Sequence, residues 1–406
     1  MSTSQHAQPG ISAPSGEGQQ LADKAASLTM PDSTAAEASN SSDPKEVPPH
    51  RSHHPQYNQK RTDPFMFGSR YLNQEDDVFE FNAWDHVETD DAYKEYAELQ
   101  YAKQRESPVS DFDKGADRFN GNPAKWWDLF YKNNTANFFQ NRKWLQQEFP
   151  VLAAVTQPDG GPVTILEIGA GAGNTAFPIL ANNRNPALKI HACDFSKKAV
   201  AVMRESKSYD PKHIQADVWD VAGDELPPKL ADGTVDVAIM IFIFSALSPK
   251  QWTKAVDNVY RLLKPSGLLL FRDYGRGDLA QVRFRKGRYL EENFYIRGDG
   301  TRVYFFDKDE LAHIWTGQPQ SDANADGATA ENRETAEPLP ASEEAEPPGL
   351  SAKASRKDSP RFKVENLGVD RRLLVNRKEK IKMYRCWLQG RLKKIAGGED
   401  APGERP

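Results

Sequence analysis

Chemistry begins at Glu167. It opens the run Glu167-Ile168-Gly169-Ala170-Gly171-Ala172-Gly173, a GxGxG turn that follows the apolar stretch VTILEI. A dinucleotide fold prefers GxGxxG and seats a pyrophosphate on the next helix N-terminus. An acid beside the turn repels a pyrophosphate and suits a ligand with a cationic amino-acid moiety. Two more acids follow at the ends of two more strand-like runs. Asp194 closes LKIHACDFS (188–196), placed to accept from a ribose diol, and Asp217 lies in HIQADVWD (213–220), placed to accept from an adenine amino group. Together the three acids and the glycines describe a site for S-adenosylmethionine. Either aspartate also suits a helix N-cap, common at strand-to-helix turns.

The second chemical block is FRDYGRGDLAQVRFRKGRYLEENFYIRGDGTRVYFF (271–306). Its basic side chains are interleaved with aromatics, a composition that suits a phosphate backbone with unstacked bases. Arg283, Arg285, Lys286 and Arg288 can meet phosphates, and Phe284, Tyr289, Phe294 and Tyr295 offer stacking surfaces or a small core under the loop. Arg297 and Arg302 flank a Gly-Asp-Gly hairpin turn, so they suit either RNA contact or structure. VNRKEKIK (375–382) is a second basic stretch.

These residues need elements to hold them. Strand-like runs at 163–168, 188–196, 213–220, 235–248 and 268–275 alternate with helix-like runs, the pattern of a doubly wound α/β sheet. VDVAIMIFIFSALS (235–248) is apolar throughout, as a central parallel strand is. SPKQWTKAVDNVYRLLKPSG reads as an amphipathic helix closed by a Pro-Ser-Gly turn, and RRLLVNRKEKIKMYRCWLQGRLKK as two late strands, or a turn and a strand, completing the sheet. Residues 1–62, 317–360 and 396–406 carry too few large apolar side chains to fold and are predicted disordered. That leaves an N-terminal element at 63–111 and a methyltransferase-type domain in two pieces, 112–316 and 361–395.

Composition excludes several classes. The chain has 406 residues, 38% hydrophobic and 27% charged, with a formal net charge of −5, so any nucleic-acid site must be local. Its two cysteines, Cys193 and Cys386, form neither a disulfide framework nor a zinc module. No apolar run approaches a membrane span, and no His or acid cluster has metal spacing.

NAWDHVE (82–88), WWDLFYKNNTANFFQNRKWLQQEFP, LEIGAGAGN, ACDFS, IFIFSALSP, LLKPSGLLLFRDYG, the basic block and LLVNRKEKIKMYRCWLQ resemble the tRNA N3-methylcytidine methyltransferases. The similarity covers most of 65–394 apart from 317–360. NAWDHVE resembles the subgroup of the fungal enzyme and its animal relatives. Ala170 stands where the family often has Cys, and Thr89 where relatives often carry Trp. The resemblance implies a class I, Rossmann-like fold, and the two cysteines, with no Arg-rich presequence or signal-type apolar segment in the first fifty residues, point to a cytoplasmic enzyme. The resemblance further implies methylation of cytidine 32 in tRNA, threonine tRNA foremost, then serine or arginine tRNA. An aminoacyl-tRNA synthetase or other accessory protein is a candidate partner. Carried over by motif, donor contacts fall on Trp127, Tyr131, Gly169, Asp194, Asp217, Val218 and Ile241. Without the resemblance, Trp127 and Tyr131 read first as helix packing on the sheet, and a small-molecule methyltransferase or a non-catalytic RNA-binding subunit stays open.

Cytidine N3 carries an in-plane lone pair and attacks a sulfonium methyl without a covalent nucleophile. Neither cysteine is placed for addition to the ring, and the segment after the fourth strand, IFSALSP, lacks the Asn/Asp-Pro-Pro-aromatic element of adenine N6 chemistry. N3 methylation makes the base cationic, so a nearby carboxylate favours the transition state. Asp273, in FRDYG, is the candidate catalytic residue for this, with an ion pair to Arg272 or Arg276 as its alternative.

Overall fold

The computed structural model describes residues 70–110, 116–317 and 362–395. The segments predicted disordered, Gly317 excepted, lie outside the described residues.

Eleven strands are named in chain order. They are β1 (Ala83–Asp85), β2 (Val163–Ile168), β3 (Leu188–Asp194), β4 (Ile214–Val218), β5 (Val235–Ile241) and β6 (Leu263–Tyr274). Then come β7 (Tyr289–Glu291), β8 (Phe294–Ile296), β9 (Arg302–Tyr304), β10 (Phe362–Asn376) and β11 (Ile381–Lys394). Eight form one sheet, ordered β1-β10-β11-β6-β5-β2-β3-β4. β6-β5-β2-β3-β4 are parallel, and β11, β10 and β1 add antiparallel at one edge. The chain runs outward from β2 to β3 and β4, then crosses back to β5 and β6. The order therefore reverses between β2 and β5, and a ligand crevice opens outside the carboxyl ends of strands at such a point. β5 is central and apolar because both its faces are covered. One face packs on Trp252, Val256 and Val259, the other on Leu145, Leu152 and Met203.

Five helices matter to the site: α1 (Asp91–Arg105), α2 (Pro123–Asn134), α3 (Lys197–Arg204), α4 (Pro249–Leu262) and α5 (Lys308–Thr316). Local sequence starts each of the first four. Asp90 accepts the Tyr93 N–H, Asn122 accepts that of Lys125, with Pro123 behind it, and Ser196 accepts that of Ala199. Gln251 reaches back to accept the Ser248 N–H (3.0 Å), one half of a capping box.

Two expectations shift. The apolar run 235–248 is a strand only to Ile241; Phe242 then takes φ +60° and a 3-10 turn follows at Phe244–Ala246. Uniform apolarity hid this break. And β6 starts at Leu263, directly after α4, so that the expected Pro-Ser-Gly turn falls inside the strand, where residues 264–267 leave the pairing and Ser266 takes φ +63°. The late strands at 361–395 complete the sheet as expected. NAWDHVE supplies β1, whose fully buried Trp84 packs on Leu373, Val375 and Tyr384 and donates to the Val78 carbonyl (2.8 Å).

The basic block forms a separate antiparallel sheet, β7-β8-β9, with the expected Gly-Asp-Gly hairpin between β8 and β9. A bridge between Gly275 and Phe306 ties it to the end of β6.

Candidate active site

The glycine turn follows β2 at the point where the strand order reverses toward β5. Gly169 has φ +70°, and a Cβ there would lie 2.1 Å from Ile243 Cδ1, in the loop after β5. Gly171 has φ +58°, and a Cβ there would lie 2.3 Å from the Tyr131 hydroxyl of α2. Only glycine lets loop and helix approach the turn from both sides.

Asp194 pins the turn. Its Oδ2 accepts the Gly171 N–H (2.8 Å) and its Oδ1 the Ser196 N–H (2.8 Å). It is not the cap of α3, since Ser196 is. Each oxygen keeps a second lone pair for a ligand hydroxyl. Burial pushes its pKa up to about 6.

Glu167 is 3% exposed, and its Oε2 is buried with no hydrogen-bond partner. Burial raises its pKa to about 7, opposed by the nearby Arg142 guanidinium. A buried, unsatisfied carboxylate oxygen calls for a donor. The ammonium of an amino-acid moiety is such a donor, so the residues present fit S-adenosylmethionine.

α2 covers the turn. Tyr131 is buried and Trp127 half-buried, with ring centroids 6.5 Å apart. Asp128, between them, accepts from Ser196 Oγ (2.6 Å) and the Lys198 N–H (3.1 Å), locking α2 to the start of α3. Ile241 is buried at the end of β5. Val218 lies opposite Asp194 across β3 and β4 and is 40% exposed. Asp217, beside it, is bound to Arg204 (3.1 Å) and Gln215. The carried-over residues thus lie on the glycine turn, on α2 and at the carboxyl ends of β3, β4 and β5.

Asp273 does not take the ion-paired role offered as its alternative. It pairs with neither proposed arginine: Arg272 bonds Asp370 and Gln389, and Arg276 pairs with Glu98 and Asp307. The carboxylate is 0% exposed and accepts the Ser245 (2.9 Å) and Tyr274 (2.8 Å) N–H groups. Burial raises its pKa to about 6. In this conformation it ties the loop after β5 to the end of β6.

The basic block divides in two. Arg283, Arg285 and Lys286 are exposed. Arg288 is half-buried and donates to the Arg297 carbonyl (3.2 Å); Arg297 donates to the Arg302 carbonyl (3.1 Å) and lies over the Tyr274 ring. Arg302 is 4% exposed and bonds Asn120, the Ala246 carbonyl and Gln251. It is a structural tie rather than a phosphate contact. Phe294 and Tyr295 are buried, which removes them as stacking surfaces. Phe284 stacks on Tyr295 (4.7 Å, 4°) with one side half-open. In the second basic stretch Arg377 and Lys378 are exposed, while Lys382 pairs with Asp90.

The sequence reading missed three site residues. Arg142 donates to Thr175 Oγ1 (2.8 Å) and interacts electrostatically with Glu167, Tyr131 and Tyr274. Asp128 and Phe242 are the others. Arg142 and Asp128 carry no signal in a single sequence. For Phe242 the signal was only that an apolar run of 14 residues is long for one strand.

Residues 166–269 match a family model described as a methyltransferase domain. The chain is 47% identical over 329 residues to the tRNA(Thr) (cytosine(32)-N(3))-methyltransferase of Saccharomyces cerevisiae, covering 80% of this chain and 45% of that one. It is 44% identical over 328 residues to a tRNA N(3)-methylcytidine methyltransferase of Schizosaccharomyces pombe, covering 81% and 92%. The corresponding Drosophila melanogaster protein is 38% identical over 341 residues, covering 84% and 91%. The chain thus spans under half of the first relative and nearly all of the other two. With this identity over nine-tenths of two relatives, the chain belongs to the tRNA N3-methylcytidine methyltransferase family.

Proposed function

We propose that this chain transfers a methyl group from S-adenosylmethionine to N3 of cytidine 32 in the anticodon loop of tRNA, with threonine tRNA as substrate and serine and arginine tRNAs as further candidates. The observation that carries the reading is the unsatisfied Oε2 of Glu167 beside a glycine turn, in a crevice flanked by the aromatic and basic sheet. The donor, when bound, supplies an electrophilic methyl on a sulfonium.

The chain's own residues bind and orient. Glu167 faces the ammonium group and Asp194 accepts from the ribose diol. Trp127 and Tyr131 on α2 exclude water from the turn. Gly169, Ile241, Asp217 and Val218 border the adenosine. Arg283, Arg285 and Lys286 meet the phosphate backbone, with Arg288, Arg297 and Phe284 behind them. Cytidine N3 is unprotonated at neutral pH, so no general base is needed. The work is alignment and desolvation. Asp273 contributes by holding the Ser245 N–H and so fixing the loop that borders the donor.

The N-terminal element, 63–111, is assigned to tRNA binding, and an aminoacyl-tRNA synthetase or similar accessory protein is the candidate partner. The cytoplasm is the assigned compartment. Among the described residues no helix is long and apolar enough to cross a membrane.

Methylation assays on purified tRNAs, with nucleoside mass spectrometry, test the reading. Expected is 3-methylcytidine in threonine tRNA from wild type and none from Asp194→Ala. Donor turnover on small molecules but no tRNA indicates a small-molecule methyltransferase. Donor-independent tRNA binding with no transfer indicates an RNA-binding subunit.

A further inference from the structure

The loop after β5 holds an aromatic side chain in a conformation that aromatics avoid. Phe242 has φ +60°, where a bulky side chain is strained. Its neighbours enforce the conformation. The Phe242 N–H donates to the Arg272 carbonyl (2.7 Å), Ile243 fills the space that Gly169 leaves open, and Asp273 holds the Ser245 N–H. Strain that is over-determined in this way gathers at functional sites. Glycine would remove it, yet the position carries phenylalanine.

What the strain achieves is a place for the ring. Phe242 is half-buried, and its centroid lies 4.9 Å from that of half-buried Tyr274, at 46°. Phe242 packs on the core beneath the donor turn, whereas Tyr274 packs with Phe284, Tyr295 and Phe305 of the small sheet. The pair therefore bridges the two, with Ile243 against the glycine turn on one side and Arg297 over Tyr274 on the other (5.5 Å).

We infer that Phe242 and Tyr274 form the aromatic wall against which the target cytosine is held. This rests on the cytidine reading above. The chemistry favours an aromatic wall over an aliphatic one. As the N3–methyl bond forms, the sulfur–methyl bond breaks and its electron pair stays on sulfur as a thioether. No proton leaves N3, so the positive charge passes from sulfonium to base. An aromatic face attracts a cationic ring more than a neutral one. The wall thus favours the transition state over bound substrate.

The test uses the full chain with a threonine tRNA transcript, and a second transcript carrying fluorescent pyrrolocytidine at position 32. Phe242→Leu keeps bulk without a π face, Phe242→Gly relieves the strain, and Phe242→Tyr is the conservative control. Expected for the Leu and Gly variants is a single-turnover rate reduced about 30-fold or more. Their melting temperature should stay within about 3 °C of wild type. Affinity for S-adenosylhomocysteine should change less than about threefold. Phe242→Tyr should keep most of the rate. Pyrrolocytidine fluorescence, quenched on binding wild type, should stay bright with Phe242→Leu and with Tyr274→Leu. Unchanged rates and quenching in these variants overturn the wall. So does a parallel fall of rate, stability and donor affinity, which marks a purely structural loop. A wild type that binds donor but methylates no tRNA overturns the cytidine reading itself, and the wall with it.

Discussion

Glu167, Asp194 and Asp273 are three buried carboxylates at the ends of β2, β3 and β6, and burial raises the pKa of each, to about 7, 6 and 6. A raised carboxylate keeps its proton longer in the folded chain than in the unfolded one. Its contribution to stability is complete below about pH 4 and is lost as pH rises through 6–7. The ligand-free melting temperature is therefore expected to fall from pH 5 to pH 7.5. Donor binding runs the other way, because an ammonium needs Glu167 ionised. Calorimetric affinity for S-adenosylhomocysteine should rise about tenfold from pH 6 to pH 8, and Glu167→Gln should flatten that profile and weaken binding at pH 8. Asp194→Ala should weaken it by about tenfold or more, the loss of a buried hydrogen-bonded charge. At this scale Asp194 was legible in the sequence because a strand end and a glycine turn give an acid a place. Asp273 was legible as a residue but not in its partners, since two backbone N–H groups from another loop leave no mark in FRDYG.

Among elements, the parallel strands were legible wherever a short apolar run met a turn. β5 was overextended because the chain stays apolar while it leaves the sheet, and hydrophobicity does not report a left-handed residue. The basic block shows the same limit. Arg283 and Arg302 look alike in sequence, yet one is exposed and the other is buried on β9. Which face of a three-residue strand is covered depends on what packs there, here Asn120 and Gln251. The two arginines should therefore fail differently. Arg302→Ala leaves buried acceptors unpaired and should lower stability by about 2–4 kcal/mol in denaturant unfolding. Arg283→Glu with Arg285→Glu should leave stability and donor affinity near wild type, and reduce the salt slope of tRNA binding by about 2.

The whole molecule couples distant parts of the chain through its antiparallel edge. β10 and β11, from residues 362–394, lie between β6 and the early β1, so the edge of the sheet is completed from both ends of the described chain. Trp84 is the anchor of that edge, fully buried among residues nearly three hundred positions later. Trp84→Ala should cost about 3–5 kcal/mol of stability. Loss of tRNA methylation in that variant should track unfolding, read by circular dichroism at the assay temperature. In the middle of the same sheet the order reverses between β2 and β5, and the Gly275–Phe306 bridge ties the small aromatic sheet to the end of β6; transfer to a tRNA base is the reading proposed above. The direct measurement is single-turnover incubation of the full chain with threonine tRNA and S-adenosylmethionine carrying a labelled methyl group, followed by nuclease mapping and nucleoside mass spectrometry. Label in 3-methylcytidine at position 32 is the expected result. Label on another atom or position, or none on any tRNA while calorimetry shows the donor bound, contradicts it.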